Sequence, residues 1–309
     1  MKVLVTETVH EIGPKLLTDA GYTVVFANRD MDIVRREITD ADAVFTRILE
    51  LPPELLATAK KLKHISKHGV GFDNIPLDWC KEHGIVVTVT PDANGQSVAE
   101  HAFALMMTLA KNIIPVSDAY RRIGFAAKNS KECMELFGKT ALIIGIGRIG
   151  KRFAKMCHGF DMRVLAYDPY VSEVPGVTMV DSLEDALKEA DVVSLHCDLN
   201  AETRRIMTPE RLAMMKPTAI LINCARGPLI DAYALTEALQ KGHLGAAGLD
   251  VTDPEPVPAN SPLFTMPNVI VTPHYAPTTL EAAQRVSEIG CRNILAVLGG
   301  QGEPVGRLI

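Results

Sequence analysis

Short runs of β-branched and apolar residues alternate along the chain with longer stretches of helical periodicity. In the first third, the predicted strands are Val3–Thr6, Thr23–Ala27, Ala43–Thr46, His64–Lys67 and Ile85–Val89. The helices predicted between them include Pro14–Ala20 and Pro53–Ala59. Strands that alternate with helices at this spacing pair in parallel, with helices on both faces of the sheet.

The alternation is interrupted once and then restarts. Val98–Ile114 is predicted to be one long, mostly apolar helix, and residues 115–137 are more polar and less regular. The strands predicted after this break are Thr140–Ile144, Arg163–Tyr167, Val192–His196, Ala219–Asn223, Ala246–Asp250 and Val269–Thr272. A last helix is predicted from about Leu280 to Leu298.

The pattern therefore predicts the α/β class, with two doubly wound parallel-sheet domains that meet near residue 98. We expect the last helix to cross back to the first domain. This assigns residues 1–98 and 284–309 to one domain and residues 99–283 to the other.

The composition fits a globular enzyme or binding protein and excludes several other classes. The chain has 309 residues, is 47% hydrophobic and carries a net charge of −5 without a long run of one sign, so neither nucleic acid nor a membrane surface is an expected partner. The apolar start, Met1–Val5, is too short for a signal peptide. Six scattered cysteines without a C-x-x-C pair indicate reduced thiols in the cytoplasm, and no metal site is predicted.

A glycine-rich turn follows the predicted strand Thr140–Ile144. Its sequence is G-x-G-x-x-G, formed by Gly145, Gly147 and Gly150 with Arg148 and Ile149 between the last two. In such turns the first glycine allows a tight bend, the second lets the backbone approach a pyrophosphate, and the third lets helix and strand pack closely. A purely structural glycine turn has the same pattern, so the motif needs a supporting residue.

That support is an acidic residue at the end of the next predicted strand. Asp168 lies 18 residues after Gly150, where a carboxylate can accept hydrogen bonds from a ribose diol and repel a 2′-phosphate. The sequence therefore predicts NAD as the cofactor in preference to NADP. A turn-forming role for Asp168 before Pro169 is compatible with this one.

Three residues in the same predicted domain can carry chemistry. Arg226 and His274 each follow a predicted strand, and Glu255 lies in a proline-rich loop. Because the carboxyl ends of parallel strands form the ligand crevice, Arg226 and His274 can both face it. A histidine can exchange a proton with a developing alkoxide, a carboxylate can hold its imidazole, and an arginine can bind a carboxylate or polarise a carbonyl. Each residue alone has a structural interpretation, and only their coincidence indicates catalysis.

Five segments in chain order carry a resemblance to a known family. They are Ser97–His101; Gly145–Gly150 with Tyr167–Pro169; Asn223–Gly227 with Ile230–Asp231; Gly248–Val251 with Glu255–Pro256; and Asn268–Val269 with Thr272–His274. Together they resemble the D-isomer-specific 2-hydroxyacid dehydrogenases, which include phosphoglycerate dehydrogenases and glyoxylate and hydroxypyruvate reductases. The likeness covers nearly the whole chain.

The resemblance implies roles for individual residues. Arg226 would bind the substrate, Glu255 and His274 would form the carboxylate–histidine pair, and Asp250 would line the nicotinamide site. Ala225 and His274 would also contact the cofactor. The family's substrate-carboxylate loop would correspond to Ser66–Asn74, with Lys67, His68, Gly69 and Val70 as substrate-binding residues.

The resemblance also implies an architecture and an activity. A flavodoxin-like substrate domain would accompany a Rossmann NAD domain, and the chain would form a homodimer through residues 112–137. The activity would be hydride transfer between the nicotinamide of NAD and C2 of a small D-2-hydroxy acid or 2-oxo acid. The regulatory C-terminal domain of longer phosphoglycerate dehydrogenases would be missing, so serine feedback is not expected.

Departures from the family pattern leave the substrate open. Lys67 and His68 stand where an arginine and a small residue are usual, and either could bind an anionic tail or merely be solvated. Tyr275–Pro277 replaces the usual run after the histidine. Phosphohydroxypyruvate, hydroxypyruvate and glyoxylate all remain candidates.

Two other functions are considered. The first is an NAD(H)-sensing protein of corepressor type with the same fold, which the presence of Arg226, Glu255 and His274 disfavours. The second is a formate dehydrogenase of the same fold, in which the histidine pairs with an amide, so Glu255 argues against it.

Overall fold

The structure is a computed structural model that describes all residues from 1 to 309. Contacts divide the chain into two compact units. Unit 1 comprises Met1–Asn94 and Pro277–Ile309, and unit 2 comprises Gly95–Ala276. The boundaries predicted after residues 98 and 283 lie four and seven residues further along the chain, inside helices.

Unit 1 is built around a five-stranded parallel sheet. Strands β1 to β5 span Lys2–Val5, Thr23–Phe26, Ala43–Thr46, His64–Lys67 and Val86–Thr88. Their order is β2-β1-β3-β4-β5, which is the flavodoxin-like doubly wound order. Helices α1 to α4 span Ile12–Asp19, Met31–Glu37, Pro53–Leu56 and Leu77–Glu82, with a 3₁₀ helix at Ile38–Asp40.

The last helix, α11, spans Leu280–Gly299 and packs in unit 1 against α1 and the sheet. The approach of α1 is close enough that a Cβ at Gly13 would lie 2.3 Å from the carbonyl oxygen of Ser287. The hydroxyl of Ser66 in β4 donates to the carbonyl oxygen of Gly290 at 2.8 Å. Residues 224 positions apart in sequence therefore share one core, which joins the chain's two ends in unit 1.

Unit 2 contains a seven-stranded parallel sheet. Strands β6 to β12 span Thr140–Ile144, Arg163–Tyr167, Thr178–Met179, Val192–Leu195, Ile220–Asn223, Ala246–Leu249 and Val269–Val271. Their order is β12-β11-β10-β9-β6-β7-β8, which contains the Rossmann order with one strand added. The predicted class of two doubly wound parallel-sheet domains, one flavodoxin-like and one Rossmann, is confirmed.

Helices cover both faces of the unit 2 sheet. Helices α5 to α10 span Gly95–Ala110, Ile113–Ile123, Arg148–His158, Leu183–Glu189, Pro209–Met214 and Ala232–Gln240. Short 3₁₀ helices lie at Gly124–Asn129, Gly227–Leu229 and Pro262–Phe264. In β6, Leu142 and Ile144 enter one buried apolar cluster while Ala141 and Ile143 enter another, so both faces are covered as expected for a parallel sheet.

The region after residue 110 differs from the prediction of one helix over Val98–Ile114 followed by an irregular segment. Helix α5 ends at Ala110, and α6 begins at Ile113. Between them Asn112 adopts a left-handed conformation, with φ of 50°, which ends the first helix. The polar composition of 115–137 hides α6 because that helix has no buried residue.

No helix is both long enough and apolar enough to cross a membrane. No group of three or more histidine, cysteine or acidic side chains is arranged to hold a metal ion.

Candidate active site

The glycine-rich turn joins β6 to α7 at the carboxyl edge of the unit 2 sheet. Gly145 has φ of 91°, and a Cβ there would lie 2.5 Å from the backbone nitrogen of Cys197. A Cβ at Gly150 would lie 2.3 Å from the carbonyl oxygen of Gly145. Glycine is therefore required at both positions by conformation or by close packing.

The middle glycine has a different environment. Gly147 is the N-cap of α7, and nothing lies within 4 Å of the position a Cβ would take. The 11-residue helix that follows directs its first backbone N–H groups toward this open space, and Arg148 on its first turn is exposed. Ile149 is half-buried and packs against the core. Open space at a helix N-terminus fits a dinucleotide pyrophosphate.

Asp168 lies beside this turn, at the end of β7. Its Oδ2 accepts a hydrogen bond from the backbone nitrogen of Ile146 at 2.9 Å, and its Oδ1 accepts one from that of Tyr170, also at 2.9 Å. The carboxylate is thus fixed against the glycine turn. Each of its oxygens keeps further acceptor capacity, which suits a ribose diol.

Arg226 is presented by a turn after β10. The side chain of Asn223 fixes that turn, because its Oδ1 accepts from the nitrogen of Ala225 at 3.0 Å and its Nδ2 donates to the carbonyl oxygen of Arg226 at 2.9 Å. Gly227 follows where a Cβ would lie 1.9 Å from the carbonyl oxygen of Thr252. The half-buried Arg226 is therefore held at the same sheet edge as the glycine turn.

Glu255 and His274 form a pair. Glu255 Oε1 lies 2.8 Å from His274 Nδ1. Burial raises the pKa of Glu255, but the hydrogen bond and charge of His274, a backbone hydrogen bond at Thr252 and the charge of Arg226 outweigh it and lower that pKa below its usual value. Glu255 is therefore ionised at neutral pH, so Nδ1 of His274 carries the hydrogen and Nε2 is the ring nitrogen that does not bind Glu255.

Asp250 organises the backbone around His274. Its side chain is only 1% exposed. Its Oδ1 accepts from the hydroxyl of Thr272 at 2.5 Å and from the nitrogen of Tyr275 at 2.7 Å, and its Oδ2 accepts from the nitrogen of Ala276 at 2.9 Å. We call these bonds the Asp250 clamp. The role at the nicotinamide that the resemblance implies for Asp250 stays a prediction.

The remaining candidates lie in unit 1, after β4. Lys67 is 6% exposed, Gly69 has φ of 120° and donates from its nitrogen to Thr90 Oγ1 at 2.9 Å, and Val70 is exposed. Burial, reinforced by the charges of Arg47 and Lys67, lowers the pKa of His68 to about 3. His68 is therefore neutral at physiological pH and supplies no positive charge to an anionic tail.

Sequence analysis missed Arg47. It directly follows β3, the strand next to β4, so it belongs to the same sheet edge as Lys67. The signal was available, because a polar residue after a predicted strand is the criterion that selected Arg226 and His274. Sequence analysis also missed the clamp function of Asp250, which depends on backbone groups more than 20 residues away.

Comparison with known proteins places these features in a family. Residues 103–276, more than half of the chain, match the model of the D-isomer specific 2-hydroxyacid dehydrogenase NAD binding domain. The chain is 40% identical to a D-3-phosphoglycerate dehydrogenase of Methanocaldococcus jannaschii over 306 residues, which cover 97% of this chain and 58% of that protein.

Two further proteins match along nearly their whole length. A glyoxylate reductase of Thermofilum pendens is 37% identical over 317 residues, covering 98% of this chain and 93% of that protein. The crystal structure of the TT0316 protein of Thermus thermophilus superposes with a TM-score of 0.91 at 36% identity, with both chains fully covered. The chain thus spans little more than half of the phosphoglycerate dehydrogenase but nearly all of the glyoxylate reductase.

Proposed function

The chain belongs to the D-isomer-specific 2-hydroxyacid dehydrogenase family, and we propose that it is an NAD-dependent enzyme that interconverts a small D-2-hydroxy acid and its 2-oxo acid. The observation that carries this proposal is the His274–Glu255 pair, 2.8 Å apart, on the sheet edge that also holds the glycine turn. A proton-exchanging histidine and a dinucleotide turn are the two parts that reduction of a carbonyl requires.

In the proposed reaction the cofactor and each of three residues have distinct roles. The bound nicotinamide would supply the hydride to C2, or accept it in the reverse direction. Arg226 binds the substrate carboxylate and polarises the C2 carbonyl through its positive charge. Nε2 of His274 gives a proton to the C2 oxygen during reduction and takes it back during oxidation, while Glu255 holds Nδ1 and stabilises the protonated ring.

We propose tasks for residues of each unit separately. In unit 2, Gly147 and the first turn of α7, with Arg148, Ile149 and Ala225, would hold the dinucleotide, and Asp168 would hold its adenosine ribose. In unit 1, Lys67, Gly69 and Val70 would bind the anionic end of the substrate. The neutral state of His68 argues for a hydrogen-bonding task rather than a charged one.

The direct test is oxidation of NADH with a panel of 2-oxo acids: glyoxylate, hydroxypyruvate, phosphohydroxypyruvate, pyruvate and phenylpyruvate. We expect turnover with at least one of them, at a lower rate with NADPH. If every acid fails while NADH still binds, the proposal is overturned and a nucleotide-sensing role takes its place. A clear preference for the phosphorylated acid would assign Lys67 to a phosphate tail.

We further propose that the protein is a homodimer joined through α6 and the segment after it. Ile113, Tyr120, Ile123 and Phe125 are each more than half exposed, and Phe125 is 75% exposed. Contiguous exposed apolar side chains of this kind are typical of an interface between subunits. Light scattering should give the mass of a dimer, and Ile123→Glu with Phe125→Glu should give that of a monomer.

We also propose a cytoplasmic location. All six cysteines are free thiols, four of them buried, which suits a reducing compartment. Cell fractionation tests this directly.

A further inference from the structure

His101 contacts Thr272, two residues before His274, in the loop that carries His274. It belongs to α5, which packs against β10, β11 and β12 in unit 2. Its side chain is 20% exposed, and its Nε2 lies 3.1 Å from the hydroxyl oxygen of Thr272. No part of the proposed reaction uses this histidine, although Ser97–His101 is one of the segments that carry the family resemblance.

The direction of the hydrogen bonds follows from counting hydrogens. The hydroxyl of Thr272 has one hydrogen, and it is donated to Asp250 Oδ1 at 2.5 Å. The same hydroxyl oxygen must therefore accept from His101, so the hydrogen of His101 lies on Nε2. That nitrogen also lies 3.5 Å from Asp250 Oδ1, so the positive end of its N–H dipole stabilises the negative charge of the carboxylate.

This chain of bonds ends on the backbone of the His274 loop. The Asp250 clamp holds the nitrogens of Tyr275 and Ala276, and the carbonyl oxygen of Asp250 accepts from the nitrogen of His274 at 2.8 Å. His274 has φ of 53°, a left-handed conformation that is unfavourable for a residue with a Cβ. Such a conformation persists only where surrounding bonds fix it, and here the clamp fixes it.

We propose that His101 is a positioning residue for His274, acting through Thr272 and Asp250. By donating to the hydroxyl of Thr272, His101 keeps that hydroxyl turned toward Asp250 and so keeps the carboxylate oriented toward the backbone nitrogens it holds. His101 touches neither substrate nor cofactor in this account. Its catalytic consequence rests on the proposed function, whereas its effect on the loop does not.

The catalytic test compares His101→Leu with His101→Gln. Leucine removes the donor, so kcat should fall about tenfold, as expected for a small misplacement of a reacting group, while KM for the 2-oxo acid changes less than about twofold. Glutamine can place an amide N–H at a similar reach, so it should restore most of kcat. Thr272→Val should reproduce the leucine effect, and the double variant His101→Leu with Thr272→Val should lose no more than either alone.

A second test does not depend on activity. Amide hydrogen exchange at Tyr275 and Ala276 should be at least about threefold faster in His101→Leu and near wild type in His101→Gln, because local opening of the clamp exposes these amides. The matched control is His158→Leu in the same unit, whose Nε2 bonds to the carbonyl oxygen of Gly176 at 3.0 Å. It should leave exchange at both amides unchanged.

The two tests separate the possible failures. Unchanged exchange at Tyr275 and Ala276 in His101→Leu overturns the proposal, whatever happens to turnover. Losses that multiply in the double variant would overturn it as well. If the wild-type protein reduces no 2-oxo acid, the proposed function fails, and the exchange measurement still decides whether His101 positions the loop.

Discussion

The carboxyl edges of the two parallel sheets each carry a histidine within three residues of a strand's end, in opposite electrostatic surroundings. In unit 2, His274 follows β12 and pairs with the carboxylate of Glu255. In unit 1, His68 follows β4 and lies near the cations Arg47 and Lys67, which together with burial keep it neutral. A position after a strand therefore brings a histidine to the carboxyl edge of a sheet, but the residues around it decide which chemistry it can support.

The same contrast extends to the other groups on each edge. The unit 2 edge holds Asp168 and Asp250 besides Glu255, and each of these carboxylates is hydrogen-bonded to the backbone or to a partner side chain. On the unit 1 edge the carboxylate of Glu7 is buried and accepts from the backbone nitrogens of Arg47 and Ile48, so the loop after β3 is fixed in place. Carboxylates held in place can stabilise a protonated partner or accept hydrogen bonds from a ribose. Cations held in place can bind an anionic group.

We call the unit 2 edge, with Asp168, Asp250 and Glu255, the acidic edge, and the unit 1 edge, with Arg47 and Lys67, the cationic edge. The largest expected effect comes from removing His274 from the acidic edge. His274→Ala should lower turnover by about two to four orders of magnitude, the usual contribution of a general acid, because the variant lacks the proposed proton donor. The affinity for NADH should be largely kept, as measured by fluorescence titration. The exposed His243 gives a control, His243→Ala, that should retain activity. Normal turnover in His274→Ala would remove His274 from the mechanism.

The second effect concerns the carboxylate beside the glycine turn. Asp168→Asn and Asp168→Ala should each lower the preference for NADH over NADPH by about tenfold or more, since a hydrogen bond to a charged group is lost and repulsion of the 2′-phosphate ends. Asparagine removes the negative charge but keeps one acceptor oxygen for a backbone nitrogen of the turn, Ile146 or Tyr170. Comparing it with alanine therefore distinguishes the effect of the charge from the effect of the turn's hydrogen bonds. The ratio of kcat/KM for the two cofactors is the measurement, and an unchanged ratio would leave Asp168 as a turn residue only.

Much of both sheet edges could be predicted from the sequence, because buried parallel strands have a recognisable sequence pattern. Strands β3, β4, β6 and β7 have the predicted bounds. In β3, β6 and β7 the signal is a run of mostly apolar residues closed by a polar residue or a turn. The strand-end rule predicts that Arg226 and His274 lie at one sheet edge, where the structure has them after β10 and β12, and their roles stay predictions. It would have selected Arg47 had it been applied to β3.

Other features could not be predicted because they depend on the folded backbone. The break before α6 rests on one left-handed residue, Asn112, within a continuous helical composition. The Asp250 clamp rests on backbone nitrogens of Tyr275 and Ala276, which any residue except proline would supply. The neutral state of His68 follows from burial, which single residue types do not reveal.

A smaller effect is expected when a cation of the unit 1 edge is removed. Lys67→Met keeps the buried aliphatic stem and deletes the charge, so KM for the preferred 2-oxo acid should rise about three- to tenfold with kcat nearly kept. Arg47→Met is the matched variant on the neighbouring strand end. Steady-state kinetics with the preferred acid measure both, and an unchanged KM in both would exclude this edge from substrate binding.

The smallest catalytic effect is expected at the histidine of the cationic edge. With a pKa of about 3, His68 stays neutral from pH 5 to 8, so His68→Gln should leave the shape of the pH–rate profile unchanged over that range. A shifted limb in the variant would show that His68 titrates, and the contrast between the two edges would fail.

Replacing His68 should change the pH dependence of stability, although it should not change the shape of the pH–rate profile. The unfolded chain takes up a proton at the ordinary histidine pKa of 6.5, and the folded protein does so only near 3, so His68 costs the folded state stability as pH falls through this window. His68→Gln removes that cost, and its Tm should therefore fall less between pH 7 and pH 4 than that of the wild type. The exposed His243 again provides the control, because His243→Gln replaces a histidine that is not buried. Equal falls in Tm for the wild type and His68→Gln would mean that the folded state does not suppress protonation of His68, and the contrast between the two sheet edges would fail.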